Sequence, residues 1–279
     1  MKKKVLSIVA VMIVAIVSVV SLVACGNKVN YKEMNAQVDA LLEVKSGKAD
    51  VAILDSTMAG YLTREGSDFS DLAIITLSDY TPEAEEYGVA AKKGNLALID
   101  KVNKGIADTV ENGKYQEIAK LYGLTNRTVD FKYVANNATD DSWNKIVEKG
   151  EIVIAYTQNA PMGIVENGVV KGFDIDLAKA IFEPLGITVK TKEINWDSKE
   201  MELNTGKVDL VWNGLTITED RAKNMAISTP YLTNEQAFVV KKDRVNEFKT
   251  KQDIIDAGKI AIEKGSAAES VLKALGLMK

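Results

Sequence analysis

Residues 202–212 read ELNTGKVDLVW, and this pattern repeats an earlier stretch, EVKSGKADVAIL at residues 43–54. Each copy reads as a helix end, a glycine that stops the helix and an aliphatic strand. The Gly-Lys-x-Asp register is kept across 159 positions. Chance can produce a match this short, but two similar α/β units are the simpler interpretation, because recurring segments are typical of repeated supersecondary structure.

Aliphatic runs alternate with helical patterns around both copies, which predicts an α/β fold with a mainly parallel sheet. The predicted strands are Val51–Leu54, Leu72–Thr76, Glu151–Tyr156, Ile187–Ile194, Val208–Trp212, Ala237–Val240 and Lys259–Ile262. The predicted helices are Asn95–Asn112, Lys114–Tyr122, Asp174–Leu185 and Ala268–Leu275, with Asp174 as an N-cap and Gly186 as a helix end. Asn167-Gly168 predicts a hairpin turn, and the polar segment Thr125–Asp141 predicts a linker.

The composition excludes several classes of chemistry. The 279 residues include no His and one Cys, which removes His-dependent nucleophiles, His-ligated metals and cysteine metal clusters. No cofactor is expected. A net charge of −4 argues against nucleic-acid binding, which requires a basic surface. The length suits one large or two small domains, and binding is the function that remains.

The N-terminal segment indicates export. Lys2, Lys3 and Lys4 precede twenty uncharged residues, Val5–Ala24, and then Cys25. Leu22-Val23-Ala24-Cys25 resembles the lipobox of bacterial lipoproteins, which implies a signal peptide over residues 1–25 and lipid attachment at Cys25. The alternative is a plain transmembrane helix. Export would place a lipid-anchored chain on the outer face of the bacterial cytoplasmic membrane, and its charge would be about −7 without the three lysines.

Polar residues follow the strands of both copies, where ligands collect in open parallel sheets. Asp55-Ser56-Thr57 follows the first, while Asn213-Gly214-Leu215-Thr216 and then Arg221 follow the second. If these ends face each other, Arg221 would bind a carboxylate and Asp55 would accept from an ammonium, which suits a zwitterion.

A family resemblance extends over most of the remaining chain. Residues 170–178 (VKGFDIDLA), Asn195-Trp196-Asp197, 206–209, 212–221 and Ser228-Thr229-Pro230-Tyr231 occur in register and resemble the first lobe of polar-amino-acid substrate-binding proteins of ABC transporters. The resemblance implies a two-lobed, periplasmic-binding-protein-like (Venus flytrap) α/β fold. Two crossover hinge segments are expected near Tyr87–Ala91 and Phe238–Lys242.

The two portions of this family occur in reversed order, since residues 139–279 resemble its N-terminal portion and 30–124 its C-terminal portion. The chain therefore looks circularly permuted. The expected parts are the signal (1–25), the C-terminal portion of the second lobe (26–88), a hinge return with the closing helices of the first lobe (89–124), the linker (125–141), the first lobe (142–237) and the hinge with the rest of the second lobe (238–279). A domain-swapped dimer and a non-functional rearranged gene product remain alternatives.

The resemblance also implies the site residues. Arg221 would hold the ligand α-carboxylate, Asp55 would hold the α-ammonium, and the remaining contacts would come from Thr216, Gly214, Asn213, Trp196, Ser266, Ala267 and Asn159. Alternatives are a solvated Arg221 paired with Glu219 or Asp220, Asp55 as a helix cap, and Trp196 as core. Asn159 stands where the family commonly has an aromatic residue, and Ala267 where it usually has Thr.

The expected function is capture of an amino acid, a polar one according to the resemblance, for delivery to a membrane permease of an ABC transporter. A dehydratase-like enzyme of the same fold is the alternative, with Asp55 or another carboxylate as its acid or base.

The lipoprotein interpretation predicts that Cys25→Ala removes membrane retention, because the thiol is the only site for the lipid. Fractionation of expressing cells checks this. Retention of the uncleaved chain would contradict it.

Overall fold

Strands and helices alternate along residues 30–279, which the computed structural model describes; the predicted signal and Cys25 lie outside these residues. The strands are β1 (Asn30–Met34), β2 (Val51–Asp55), β3 (Leu72–Ile75), β4 (Ala84–Lys92), β5 (Glu151–Tyr156), β6 (Ile164–Glu166), β7 (Val169–Lys171), β8 (Thr188–Glu193), β9 (Leu210–Thr216), β10 (Met225–Ile227), β11 (Leu232–Lys241) and β12 (Lys259–Glu263). The fold is mixed α/β.

The helices pack on both sides of this strand framework. They are α1 (Gln37–Lys45), α2 (Ser56–Leu62), α3 (Leu96–Glu111), α4 (Lys114–Leu121), α5 (Ser142–Lys149), α6 (Phe173–Phe182), α7 (Lys199–Asn204), α8 (Glu219–Asn224), α9 (Lys251–Ala257) and α10 (Ala268–Ala274). Single 3-10 turns occupy Glu183–Leu185, Trp196–Ser198 and Lys242–Arg244. All the predicted strands and helices are found, with some ends shifted.

Most strands belong to one 10-stranded sheet in the order β1-β12-β2-β11-β4-β9-β5-β8, with β10 beside β4 and β3 beside β11. We call β1, β2, β3 and β12 half-sheet A, and β4, β5, β8, β9 and β10 half-sheet B. Strand β11 pairs with both: residues 232–235 pair with β4, whereas 236–241 pair with β2 and β3. The chain thus crosses between the half-sheets at 234–236, earlier than the predicted Phe238–Lys242.

The repeated sequence pattern corresponds to a repeated structural unit. Helix α1 ends before Gly47 and leads into β2, while α7 ends before Gly206 and leads into β9. Both glycines have left-handed φ values, +75° and +68°, which lets the chain reverse direction after the helix. Because β2 and β9 belong to different half-sheets, each half-sheet contains one copy of the unit.

The hydrophobic core is divided in the same way. Two clusters of buried side chains belong to half-sheet A and its helices, and two belong to half-sheet B with α3, α4 and α6. The tightest aromatic packing surrounds Phe173, which stacks on Tyr231 and meets Tyr115 edge to face. Each half-sheet therefore buries its own apolar surface.

Helix α6 begins differently from the prediction. The helix starts at Phe173 after Gly172, and Asp174 is fully buried. Its carboxylate accepts from the Gly214 amide at 2.7 Å and from the Tyr231 hydroxyl at 2.8 Å. The N-cap prediction for Asp174 is therefore wrong. Its carboxylate is hydrogen-bonded to Gly214 and Tyr231 and not to the first turn of its own helix.

The segment 125–141 has no helix or extended strand, as the linker prediction requires, but it is packed against the fold. Thr128 forms a single bridge with Leu232, and Phe131 is buried. The predicted turn at Asn167-Gly168 joins β6 to β7. Among residues 30–279, no helix has both the length and the apolar character needed to cross a membrane.

Gly172 is the position where this backbone least tolerates a side chain. Its φ is +135°, and an added Cβ would lie 2.2 Å from the carbonyl oxygen of Met162. We predict that Gly172→Ala lowers the free energy of unfolding by about 2–5 kcal/mol through strain and overpacking. Gly60→Ala is the control, since Gly60 lies in helix α2 with open space around it. Urea titrations of both variants check this, and equal effects would contradict it.

Candidate functional site

One wall of the site is formed where β9 leaves half-sheet B and leads into α8. The whole strand is buried through Thr216, beyond the predicted end at Trp212. Thr216 donates its hydroxyl to Glu85 Oε2 at 3.0 Å, and Thr218 caps α8 by accepting from the Arg221 amide. This geometry directs a short helix with a buried arginine toward half-sheet A.

Arg221 is 8% exposed. Its Nη1 donates to the carbonyl of Thr216 at 2.7 Å, and its Nη2 donates to the carbonyl of Gly265 in the facing wall at 3.0 Å. Burial lowers the pKa of Arg221 from its ordinary value. Glu219 and Asp220 instead pair with Lys223 at the surface, which rules out a solvated Arg221.

The opposite wall contains Asp55, at the end of β2. Its carboxylate accepts from the amides of Gln37, Asn234 and Gln236, the last two at 2.9 and 2.7 Å. Burial raises the pKa of Asp55, while these donors and the charge of Arg221 oppose the rise. Asp55 occupies the N-cap position of α2, but its carboxylate makes no capping hydrogen bond to that helix.

The second feature of this wall is Glu263 and the loop that follows it. Glu263 ends β12 and is 2% exposed. Its Oε1 has no hydrogen-bond partner among residues 30–279. Burial, followed by the charge of Asp55, raises the pKa of Glu263 to about 8, against the opposing charges of Lys199 and Arg221.

Lys199 reaches the same loop from α7. Its Nζ donates to the carbonyls of Trp196 and Gly265, each at 3.1 Å, and it is 5% exposed. Burial and the positive charge of Arg221 lower the pKa of Lys199 to about 8. The Gly265 carbonyl thus accepts from two buried cations that belong to the other half-sheet.

A single cavity brings the predicted residues together. It is lined by eight of the nine, Arg221, Asp55, Thr216, Gly214, Trp196, Ser266, Ala267 and Asn159, together with Gln37, Thr157 and Glu263. The centre of a water molecule has about 10 Å³ in which to move there, which is room for about one water. A ligand as large as an amino acid therefore requires the walls to move apart.

Asn213 is the predicted residue that does not line this cavity. Its Oδ1 accepts from the amide and the hydroxyl of Thr157, at 3.0 and 2.9 Å, so its contact with the cavity is through Thr157. Trp196 satisfies both readings of the sequence, since it lines the cavity and also belongs to a core cluster. Asn159 is 4% exposed, and its Oδ1 has no partner in the described part of the chain.

The sequence reasoning missed the polar groups around Asp55 as well as Glu263. Gln37, Asn234, Gln236 and Glu85 form a continuous hydrogen-bonded network with Asp55. Glu263 ends an apolar strand, as Asp55 does. Asp55 is a candidate because ligands collect where strands end, and the same reasoning could have found Glu263. Within residues 30–279, the acidic, Cys and His residues form no cluster of three or more with the geometry to hold a metal.

Comparison with known proteins gives matches to solute-binding proteins. Residues 152–276 match the family of bacterial extracellular solute-binding proteins, family 3. A probable ABC transporter extracellular-binding protein of Bacillus subtilis is 30% identical over 42% of this chain and 43% of its own length. A probable histidine-binding protein of Neisseria gonorrhoeae is 34% identical over 44% of this chain and 46% of its own length. The L-cystine-binding protein of Escherichia coli K12 is 27% identical over 50% of this chain and 53% of its own length. The chain thus spans about half the length of these relatives.

Solved structures give matches to similar portions of the chain. A substrate-binding protein of Streptococcus pneumoniae with bound histidine is 44% identical, covers 31% of this chain and 36% of its own, and has a TM-score of 0.30. All the proteins named here are binding proteins or ABC-transporter components by their descriptions, and none is described as an enzyme.

The buried carboxyl of Glu263 predicts a dependence of stability on pH. The unfolded chain releases this proton near its ordinary pKa of 4.5, whereas the folded chain keeps it to about pH 8. The folded state binds more protons between these values, so its free energy of unfolding falls as the pH rises. Glu263→Gln should remove roughly 2–4 kcal/mol of this fall.

Urea titrations at pH 5 and pH 8 measure the effect. The control is Glu33→Gln, which removes the same charge from the exposed side of neighbouring strand β1. Asp174, whose pKa burial raises to about 7, contributes equally to both variants. If the free energy of unfolding of Glu263→Gln falls between pH 5 and pH 8 as much as that of the wild type, the raised pKa of Glu263 is contradicted.

Proposed function

We propose that this chain is an extracytoplasmic solute-binding protein that captures an amino acid between half-sheets A and B. The observation that carries the proposal is the placement of Arg221 and Asp55 on opposite walls of one cavity. A guanidinium and a carboxylate that face each other match the two charges of a zwitterion. Gly214, Thr216, Ser266 and Ala267 supply further polar groups around the same space.

The binding cycle that we infer is hinge closure of two lobes, one on each half-sheet. Contacts across the cleft link the walls: Arg221 and Lys199 donate to Gly265, and Lys264 pairs with Asp197 at 2.9 Å. Their separation would open the cleft, and a ligand that bridges both walls would favour the closed form.

The chain order is best explained by circular permutation. Strand β1 pairs in parallel with β12, so segments from opposite ends of the described chain lie side by side in half-sheet A. Loop 125–141 then joins what would be the usual chain ends of the family.

Delivery to an ABC-transporter permease and a lipid anchor at Cys25 complete the proposal. One of the named relatives, a probable ABC transporter extracellular-binding protein, supports the first. The lipobox-like sequence supports the second. The dehydratase-like alternative is less favoured, because the named relatives are described as binding proteins and none is described as an enzyme.

The test is removal of the cation that would hold the ligand carboxylate. We expect Arg221→Ala to weaken amino-acid binding by about 2–5 kcal/mol, roughly 30-fold to several thousand-fold. Calorimetry of the full chain in detergent against the twenty amino acids provides the wild-type ligand and affinity. Lys223→Ala is the matched control, since Lys223 is an exposed cation on the same helix.

Equal affinity of Arg221→Ala and Lys223→Ala for the same amino acid would contradict the site. Turnover of the ligand, followed by NMR during the titration, would favour the enzyme alternative over a binding protein.

A further inference from the structure

Glu263 is an ionisable group that the proposed zwitterion site does not use. It lines the cavity between Asp55 and the glycine loop, with a buried Oε1 that no atom of residues 30–279 contacts as a donor. A buried carboxyl oxygen without a donor loses hydration without compensation, which is costly. Such a group in a binding cavity is explained if the ligand brings the missing donor.

The charges around the cavity lead to the same requirement. Once Glu263 has released the proton that it keeps to about pH 8, three carboxylates, Asp55, Glu85 and Glu263, lie around two cations, Arg221 and Lys199. A zwitterion adds one charge of each sign and leaves an excess of one negative charge. A ligand with an additional positive charge would balance the site in place of the proton.

A second unpartnered group has the same polarity. Among the described residues that line the cavity, the buried polar side-chain atoms without a partner are Glu263 Oε1 and Asn159 Oδ1. Both oxygens are hydrogen-bond acceptors. Asn159 lies in the loop after β5 of half-sheet B, so each wall has a buried acceptor without a donor. A guanidinium or ammonium group has several donors and no acceptor.

The adjoining cleft is acidic as well. It has a volume of about 570 Å³ and shares Thr216 and Ala267 with the cavity. Glu83, Glu85 and Glu86 line it, and its lining within residues 30–279 includes no lysine or arginine. Clefts lined by charges of one sign concentrate ligands of the opposite sign. The adjoining cleft would therefore concentrate cations beside the site.

We propose that Glu263 selects the side chain of the ligand, and that the ligand is an amino acid with a cationic side chain. The α-carboxylate would contact Arg221, the α-ammonium Asp55, and the side-chain guanidinium or ammonium Glu263 and Asn159. This inference rests on the proposed amino-acid site and specifies its substrate class.

Calorimetry with pairs of ligands of equal length tests the inference in the full wild-type chain. Arginine is compared with citrulline, and lysine with 2-aminoheptanoic acid, because each pair has the same side-chain length and differs chiefly in the side-chain charge. We expect the cationic member of at least one pair to bind about 10- to 100-fold more tightly, as charge-assisted hydrogen bonds do. This comparison requires no variant and does not depend on the folding of one.

Glu263→Gln then tests the residue. It should reduce the preference for the cation by about tenfold or more, whereas Glu33→Gln should keep it. Equal binding within both pairs, or an unchanged preference in Glu263→Gln, would overturn the inference and leave the proposed function intact. Binding of no amino acid, charged or neutral, would instead overturn the proposed function.

Discussion

The hydrogen bond from Arg221 to the carbonyl of Gly265 links the two walls of the cleft, and the site depends on it. A buried guanidinium must have acceptors, and here one comes from its own wall and one from the facing wall. A ligand carboxylate would therefore replace acceptors that the protein already supplies. Its affinity would reflect the difference between two satisfied arrangements, not the full strength of the new hydrogen bonds.

The acidic side of the site is built on a strand that also joins the half-sheets. Strand β11 supplies Asn234 and Gln236, whose amides donate to both Asp55 and Glu85. These residues lie where β11 changes partner from β4 to β2. Movement of one half-sheet against the other would thus disturb the hydrogen bonds that oppose the rise in the pKa of Asp55, so the proposed closure would be coupled to ligand recognition through the same few amides.

Local pattern was sufficient for the strands and helices predicted above but not for β4 or β10, and it made Asp55 and Arg221 site candidates because each follows a strand whose apolar run is visible in the sequence. It failed where distant segments decide the structure. Asp174 has the composition of a helix cap, yet Tyr231 and Gly214 take its carboxylate. Asn234 and Gln236 precede the apolar part of β11, so their strand and their role both depend on pairing with β4 and β2. Glu263 also ends an apolar run, so the same pattern points to it. The resemblance, however, assigns roles only to Ser266 and Ala267 in the loop that follows.

The pairing of β1 with β12 has a consequence for the order of folding. Asn30 and Lys259 are 229 positions apart, whereas the strands of half-sheet B come from residues 84–227. Half-sheet B can form while the ribosome is still adding residues. Half-sheet A must wait for β12, and until then β1 and β2 have no partners on that side. The order of the strands therefore leaves β1 and β2, which are made first, without partners for longest, and these are the strands that most need protection from aggregation during synthesis.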